Sequence, residues 1–67
     1  MNIRLLTEKQ LEVLRFLADG HAPKQCRDLI GMAEGTFKLH VHEAYIRLGA
    51  RNGAHAVAIA LRKGLIE

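Results

Sequence analysis

Sixty-seven residues, 49% of them hydrophobic, are enough for one small domain and too apolar for a chain disordered by composition. Ten Lys and Arg against seven Asp and Glu give a formal net charge of +3, a mild basic excess that suits a nucleic-acid partner without demanding one. The longest apolar run is the six residues Ala56–Leu61, far short of the roughly 20 a membrane-spanning helix needs, and Met1-Asn2-Ile3-Arg4 lacks the long apolar region of a secretory signal.

The absence of Trp, the single Pro and the abundance of Leu and Ala favour an all-α core over a sheet. Cys26, with no second cysteine to pair with, fits a reducing cytosol. The expectation is a single domain over 1–67 with an N-terminal arm at 1–5. Four helices follow from the pattern, at about 8–19, 23–30, 34–48 and 53–63.

Thr7-Glu8-Lys9-Gln10 has the Thr-x-x-Gln form of a capping box and opens the first. Leu11, Leu14, Leu17 and Ala18 share a face, with Val13 and Phe16 beside it, and Asp19-Gly20 ends the segment. Pro23 suits the first residue of the second helix. There Cys26, Leu29 and Ile30, at i, i+3 and i+4, form the apolar side. Gly31-Met32-Ala33 is a three-residue corner, and the third helix follows at once.

Phe37, Val41, Ala44 and Leu48 recur at i, i+4, i+7 and i+11, one stripe of the 3.6-residue period, and Gly49 stands where a left-handed residue stops a helix. Lys38, Leu39, His42, Glu43 and Ile46 lie on the opposite face. Two helices joined by three residues including Gly have the helix-turn-helix layout, although antiparallel bundle hairpins use equally short loops. The charge is uneven along the chain. Residues 1–22 are neutral overall, whereas 23–51 hold Lys24, Arg27, Lys38, Arg47 and Arg51 against Asp28, Glu34 and Glu43.

Asn52 is a good N-cap and Gly64 a good stop for the fourth helix. Ala56, Val57 and Ala60 form one stripe there; Ala54, Ala58 and Leu61 form a second, about a third of a turn away. A helix apolar on two sides needs a second thing to bury. Either the Ile3–Leu6 arm or the Leu65-Ile66 tail folds over it, or a two-fold partner helix packs on its small alanines.

With that order of elements in place, the motifs resemble the LuxR-type (GerE-like) DNA-binding domain. The resemblance covers residues 6–66 without a gap. It rests on Leu6-Thr7, Glu12-Val13-Leu14, Leu17-Ala18-x-Gly20 and Lys24. Further on it rests on Glu34-Gly35-Thr36-x-Lys38-x-His40-Val41, Leu48-Gly49, Asn52, Ala56-Val57, Ala60 and Gly64-Leu65-Ile66. Sigma-factor region 4 starts similarly but lacks the His40-Val41 and Asn52 to Ile66 pattern. The resemblance implies a helix-turn-helix domain whose third helix enters the major groove and whose fourth makes a homodimer. It implies base contacts from Lys38, Leu39 and His42, and backbone contacts or buttressing from Lys24, Thr36 and His40. Arg47 is added to the backbone set, and the dimer surface is assigned to Ala54, Ala58, Leu61 and Arg62. Physical chemistry supports part of this: a Lys can donate to guanine O6 and N7, and Thr36 with nearby amides suits a phosphate at a helix N-terminus.

Several positions depart from the family pattern. Ala33 stands where an N-cap Ser or Thr is usual. Arg27 replaces a small Ala between the second and third helices, so either the packing opens or its stem snorkels outward. Gln10 and Gly53 replace a Glu and an Arg, removing any ion pair between them. Glu43 replaces an Asn, and Ile46 adds an exposed apolar residue in line with Leu39.

Plainer readings stand beside these. His40, on the flank of the core stripe, reads as a packed, hydrogen-bonded histidine, and His40 with His42 at i, i+2 makes a poor metal pair. Cys26 reads as inert core packing. No Ser/His/Asp set, carboxylate pair or phosphate-cradling glycine loop is present, so neither catalysis nor a cofactor or metal is expected.

The expected function is that of a stand-alone transcriptional regulator in a bacterial or phage-type cytoplasm, associated with the nucleoid. It would bind double-stranded DNA as a homodimer, with another LuxR-type regulator or RNA polymerase as further partners and no membrane. The alternative is a protein-interaction module with a weakened DNA face that pairs with a full-length LuxR-type regulator and titrates it.

Overall fold

The computed structural model describes residues 6–67; the arm at 1–5 lies outside the described residues. The elements are α1 (Glu8–Ala18), α2 (Pro23–Ile30), α3 (Glu34–Leu48) and α4 (Gly53–Arg62), an all-α arrangement with no strand among the described residues. The sequence places each helix. Asp19 and Lys63 prove to be the capping residues that follow α1 and α4, so those two helices end one residue earlier than expected.

Local chemistry accounts for most of the ends. The Thr7 side chain accepts the Gln10 N–H at 3.2 Å, and the Gln10 side chain accepts the Thr7 N–H at 2.9 Å, which completes the capping box of α1. Pro23 opens α2, where the Gln25 side chain accepts the Ala22 N–H at 2.8 Å. Ala22 has no side-chain acceptor to return, so this is half a box. Asn52 caps α4 by accepting the His55 N–H at 2.9 Å.

Gly49, at φ 70°, closes α3 with paired bonds: its own N–H to Ile46 O at 3.1 Å and the Ala50 N–H to Tyr45 O at 2.8 Å. This is a Schellman closure, and the left-handed residue at its centre favours glycine. The same pair of bonds ends α4, from Gly64 to Leu61 and from Leu65 to Ala60, and turns the tail inward.

α1 packs against the other three helices. On one side Leu6, Leu14, Ala44, Leu48, Ala56, Ala60 and Ile66 form the larger buried cluster. On the other, Val13, Cys26 and Phe37 form the smaller, with Phe16, Ile30, Met32 and Val41 partly buried around them. Leu14 is the largest apolar side chain wholly inside, a burial that contributes roughly 1.5–3 kcal/mol. Leu6 and Ile66 both enter the larger cluster, so the Leu65-Ile66 tail does fold onto α4, over its Ala56–Ala60 side. The Ala54, Ala58 and Leu61 stripe stays outside that cluster.

Two expected core positions are corrected. Ala18 is exposed, because the buried face of α1 is centred on Gln10, Val13 and Leu14. Ala18 points roughly 80° from Gln10, in the last turn, where that face has run out. Leu29 is 56% exposed. The line from Cys26 to Ile30 faces α1, and Leu29 lies roughly 60° to the other side of Cys26. Val41, at the edge of its stripe, is half-buried rather than buried.

At position 53, a β-carbon would lie 3.0 Å from the Tyr45 hydroxyl, so glycine lets α4 start close against α3. No helix of the described residues is long and apolar enough to cross a membrane.

Candidate nucleic-acid interface

α3 is held from inside by Phe37, Ala44 and Leu48, all buried. That leaves Lys38, Leu39, His42 and Ile46 exposed and Glu43 half-exposed on its outer face, as the period requires. Lys38 and His42 stand one turn apart, a spacing that sets two donor-bearing side chains on one line along the helix. Leu39 and Ile46, at 57% and 65% exposure, share that face.

The start of α3 is polar and open. Ala33 is its N-cap and offers no side-chain bond to the first-turn amides. Thr36 is exposed there. Glu34 supplies the favourable negative charge of the first turn but does not replace a cap. The missing cap costs α3 about 1 kcal/mol relative to a Ser or Thr.

Between the starts of α2 and α3 lies a groove of about 410 Å³ lined by Pro23, Lys24, Arg27, Glu34, Phe37 and Lys38. Lys24 and Lys38, both exposed, have no ion-pair partner among the described residues. Arg27 occupies the middle. Its stem is partly covered and its guanidinium reaches out to Glu34 and Asp28, each at 3.4 Å. The snorkelling alternative for this side chain is therefore the one observed.

Other expected site residues are placed as follows. His40 is half-buried; its Nδ1 is shut off from solvent with no hydrogen-bond partner, which corrects the expectation of a hydrogen-bonded ring on that side. What ties this position to the core is its backbone carbonyl, which accepts from Gln10 Nε2 at 3.3 Å. Arg47 is exposed, one turn from Glu43 and 3.9 Å from its carboxylate, so the acidic residue of the outer face is partly neutralised along the helix. Ala54, Leu61 and Arg62 are exposed and Ala58 is half-exposed, a surface apart from the groove and on a different helix. The structure thus gathers Lys24, Thr36 and Lys38 around the start of α3. Leu39 and His42 continue along its outer face, and Arg47 lies nearer its end.

Cys26 is completely buried beside the His21 carbonyl, its Sγ 3.8 Å from that oxygen, and burial pushes its thiol pKa up. A raised thiol pKa means little thiolate, the opposite of a reactive cysteine. Burial likewise raises the Tyr45 phenol.

Sequence reasoning missed three contacts of this region. Gln10 is taken as a capping residue, whereas the same side chain is also almost wholly buried and bonded to α3. The Arg27–Glu34 pair spans the turn. His55 Nδ1 accepts the Arg51 N–H at 3.0 Å, making the α3–α4 link reciprocal with the Asn52 cap. Only the last had a readable signal, an Asn followed three residues later by a side chain able to reach back.

A family model described as "Bacterial regulatory proteins, luxR family" matches residues 4–60. The chain belongs to the luxR family of bacterial regulatory proteins. Among curated relatives it is 38% identical over 61 residues to the transcriptional regulatory protein YdfI of Bacillus subtilis (strain 168), covering 91% of this chain and 29% of that protein. It is 32% identical over 63 residues to the quorum sensing-dependent transcriptional regulator VjbR of Brucella abortus (strain 2308), covering 94% of this chain and 24% of that one. It is 32% identical over 59 residues to the nitrate/nitrite response regulator protein NarP of Escherichia coli (strain K12), covering 88% of this chain and 27% of that one. The chain thus spans under a third of the length of each of these luxR-family relatives. The match covers the helix-turn-helix, its groove and most of α4.

Proposed function

We propose that this luxR-family domain binds double-stranded DNA with α3 in the major groove and regulates transcription in the bacterial cytoplasm. The observation that carries the reading is the outer face of α3. It presents Lys38 and His42 one turn apart, with Thr36 and uncapped amides at its start and Lys24 across the groove. Lys38, Leu39 and His42 are assigned to base edges, Leu39 through the thymine methyl. Lys24, Thr36, His40 and Arg47 are assigned to the phosphate backbone. The relatives named above, all transcriptional or response regulators, support the same reading.

One such module buries roughly 600–1,000 Å² on DNA and is weak alone. A homodimer through Ala54, Ala58, Leu61 and Arg62 of α4 supplies the second half-site contact; two alanines, a leucine and an arginine, they lie outside the buried core clusters. Half-sites would then lie one helical turn, or a multiple of it, apart.

A second reading has its own observation. Leu39 and Ile46 are exposed apolar groups on the same face as the Glu43–Arg47 pair, which dilutes the cationic character of α3. Such a weakened DNA face suits a protein-interaction module that pairs with a full-length LuxR-type regulator and titrates it. Selection from random duplexes, followed by titration of the selected duplex at 50 and 200 mM salt, separates the two. The DNA reading expects a selected site and affinity that falls steeply with salt. Enrichment of no sequence and equally poor binding at both salts, with measurable affinity for a longer regulator, overturns it in favour of the second.

A further inference from the structure

The groove between α2 and α3 holds three cations, Lys24, Arg27 and Lys38, against one carboxylate on its wall, Glu34. Lys24 and Lys38 point outward without partners among the described residues, and only the middle cation is engaged. Its engagement is loose. Arg27 Nη1 is 3.4 Å from Glu34 Oε1 and Nη2 is 3.4 Å from Asp28 Oδ1, both longer than the roughly 2.7–2.9 Å of a strong charge-assisted bond. Both carboxylates are about two-thirds exposed, at 67% and 64%, and pairs between such groups are weak and screened by salt. A planar guanidinium shared between two distant, wet carboxylates keeps donor capacity in hand. The partner that matches its fork is a phosphate, which accepts two parallel N–H bonds.

We propose that Arg27 is a further DNA-backbone contact of this chain, held in the free protein by Glu34 and released to a phosphate when the duplex arrives. The proposal rests on the DNA reading above and adds a residue and a means of tuning to it. In the free protein Glu34 occupies Nη1, holds the guanidinium over the mouth of the groove and lowers the positive potential there. On the duplex, a phosphate lying between Lys24 and Lys38 takes the guanidinium, and Glu34 returns to solvent. Glu34 therefore sets affinity by competition, without itself touching DNA.

The test is a double-mutant cycle on the full chain, with Arg27→Gln, Glu34→Gln and both together, titrated against the selected duplex from 50 to 200 mM salt. Thermal melting of each variant checks that it folds. Arg27→Gln should weaken binding and flatten the log–log salt slope by about 0.9, so that the affinity lost between the two salts shrinks about 3.5-fold. Arg27→Lys, which keeps the charge, should recover the slope. Glu34→Gln should tighten binding about two- to five-fold when Arg27 is present and by much less when it is absent.

Equal tightening in both backgrounds would show Glu34 acting as a general negative charge and overturn the competition. An Arg27→Gln variant with unchanged affinity and slope, beside a wild type that binds, overturns the proposal while the DNA reading stands. A wild type that binds no duplex removes both. Inorganic phosphate provides the remaining arm. If it raises the melting temperature of the wild type but not of Arg27→Gln, while duplex affinity is the same in both, the site takes free phosphate and the duplex assignment fails.

Discussion

Gln10 and His40 are tied across the core: the Gln10 side-chain amide donates to the His40 carbonyl at 3.3 Å while its own oxygen accepts the Thr7 N–H at 2.9 Å. One almost wholly buried polar side chain thus closes the first turn of α1 and holds the middle of α3 at a set distance from it. Because α3 carries the proposed DNA face, this bond links a helix cap to the placing of that face.

Gln10→Ala is expected to destabilise the fold by about 1–3 kcal/mol, since it opens a space and leaves buried polar groups short of a partner. Urea unfolding checks this, with an unchanged slope expected. Gln10→Met, which keeps most of the volume, should recover part of the packing but not the bonds. Full recovery by Met would mean that the bonds contribute nothing beyond shape.

The α3–α4 link should be cooperative. Asn52 accepts from His55 and His55 accepts from Arg51, so each side chain holds the backbone of the other's segment. Asn52→Ala should cost about 1 kcal/mol, a fall in melting temperature of roughly 4–8 °C for a domain of this size. His55→Ala should cost less, and the double variant less than the sum, because the two bonds support one turn. Strict additivity in thermal melts would deny the coupling.

Lys38 and Lys24 should differ in kind. Lys38→Ala is expected to weaken the selected duplex by about 1–3 kcal/mol and relax preference at one base pair. Lys24→Ala should weaken all duplexes alike and lower the salt slope by about 0.9. Binding competitions among single-base variants of the site read both. No change of preference on losing Lys38 would mean that the base-reading face has been misassigned.

Leu61 is 47% exposed and outside both buried clusters, so a charge there leaves the fold intact. Leu61→Glu should shift a sedimenting dimer to monomer mass with an unchanged far-ultraviolet spectrum. Wild type and variant of equal mass would exclude α4 as the association surface.

The helices and their ends were legible because their signals are local. Thr7 with Gln10, Pro23, Gly49 and Asn52 each act within one turn of where they stand, and all are where the chain's pattern puts them. Periodicity also set the two faces of α3. It did not tell how wide a face would be covered: Leu29 and Ala18 have core-type side chains at plausible spacings, yet the neighbouring helix does not reach them. Nor could it reveal Gln10 as an interior residue, because the partner at His40 is thirty positions away and is a backbone atom with no residue signature. The Arg27–Glu34 pair depends on the angle between two helices, which a three-residue corner does not specify. For the proposed contacts, residue types and faces were readable, whereas the groove that collects Lys24, Arg27 and Lys38 emerges only in three dimensions.

The uncapped start of α3 has a consequence for what association with an anion would accomplish. A helix whose opening amides have no side-chain partner is unfinished in isolation, and its first turn is the part most ready to fray. A phosphate placed there would act as the missing residue of the chain. Docking and the last step of folding would then be one event, and part of the apparent affinity would be stability that the protein had left for its ligand to complete.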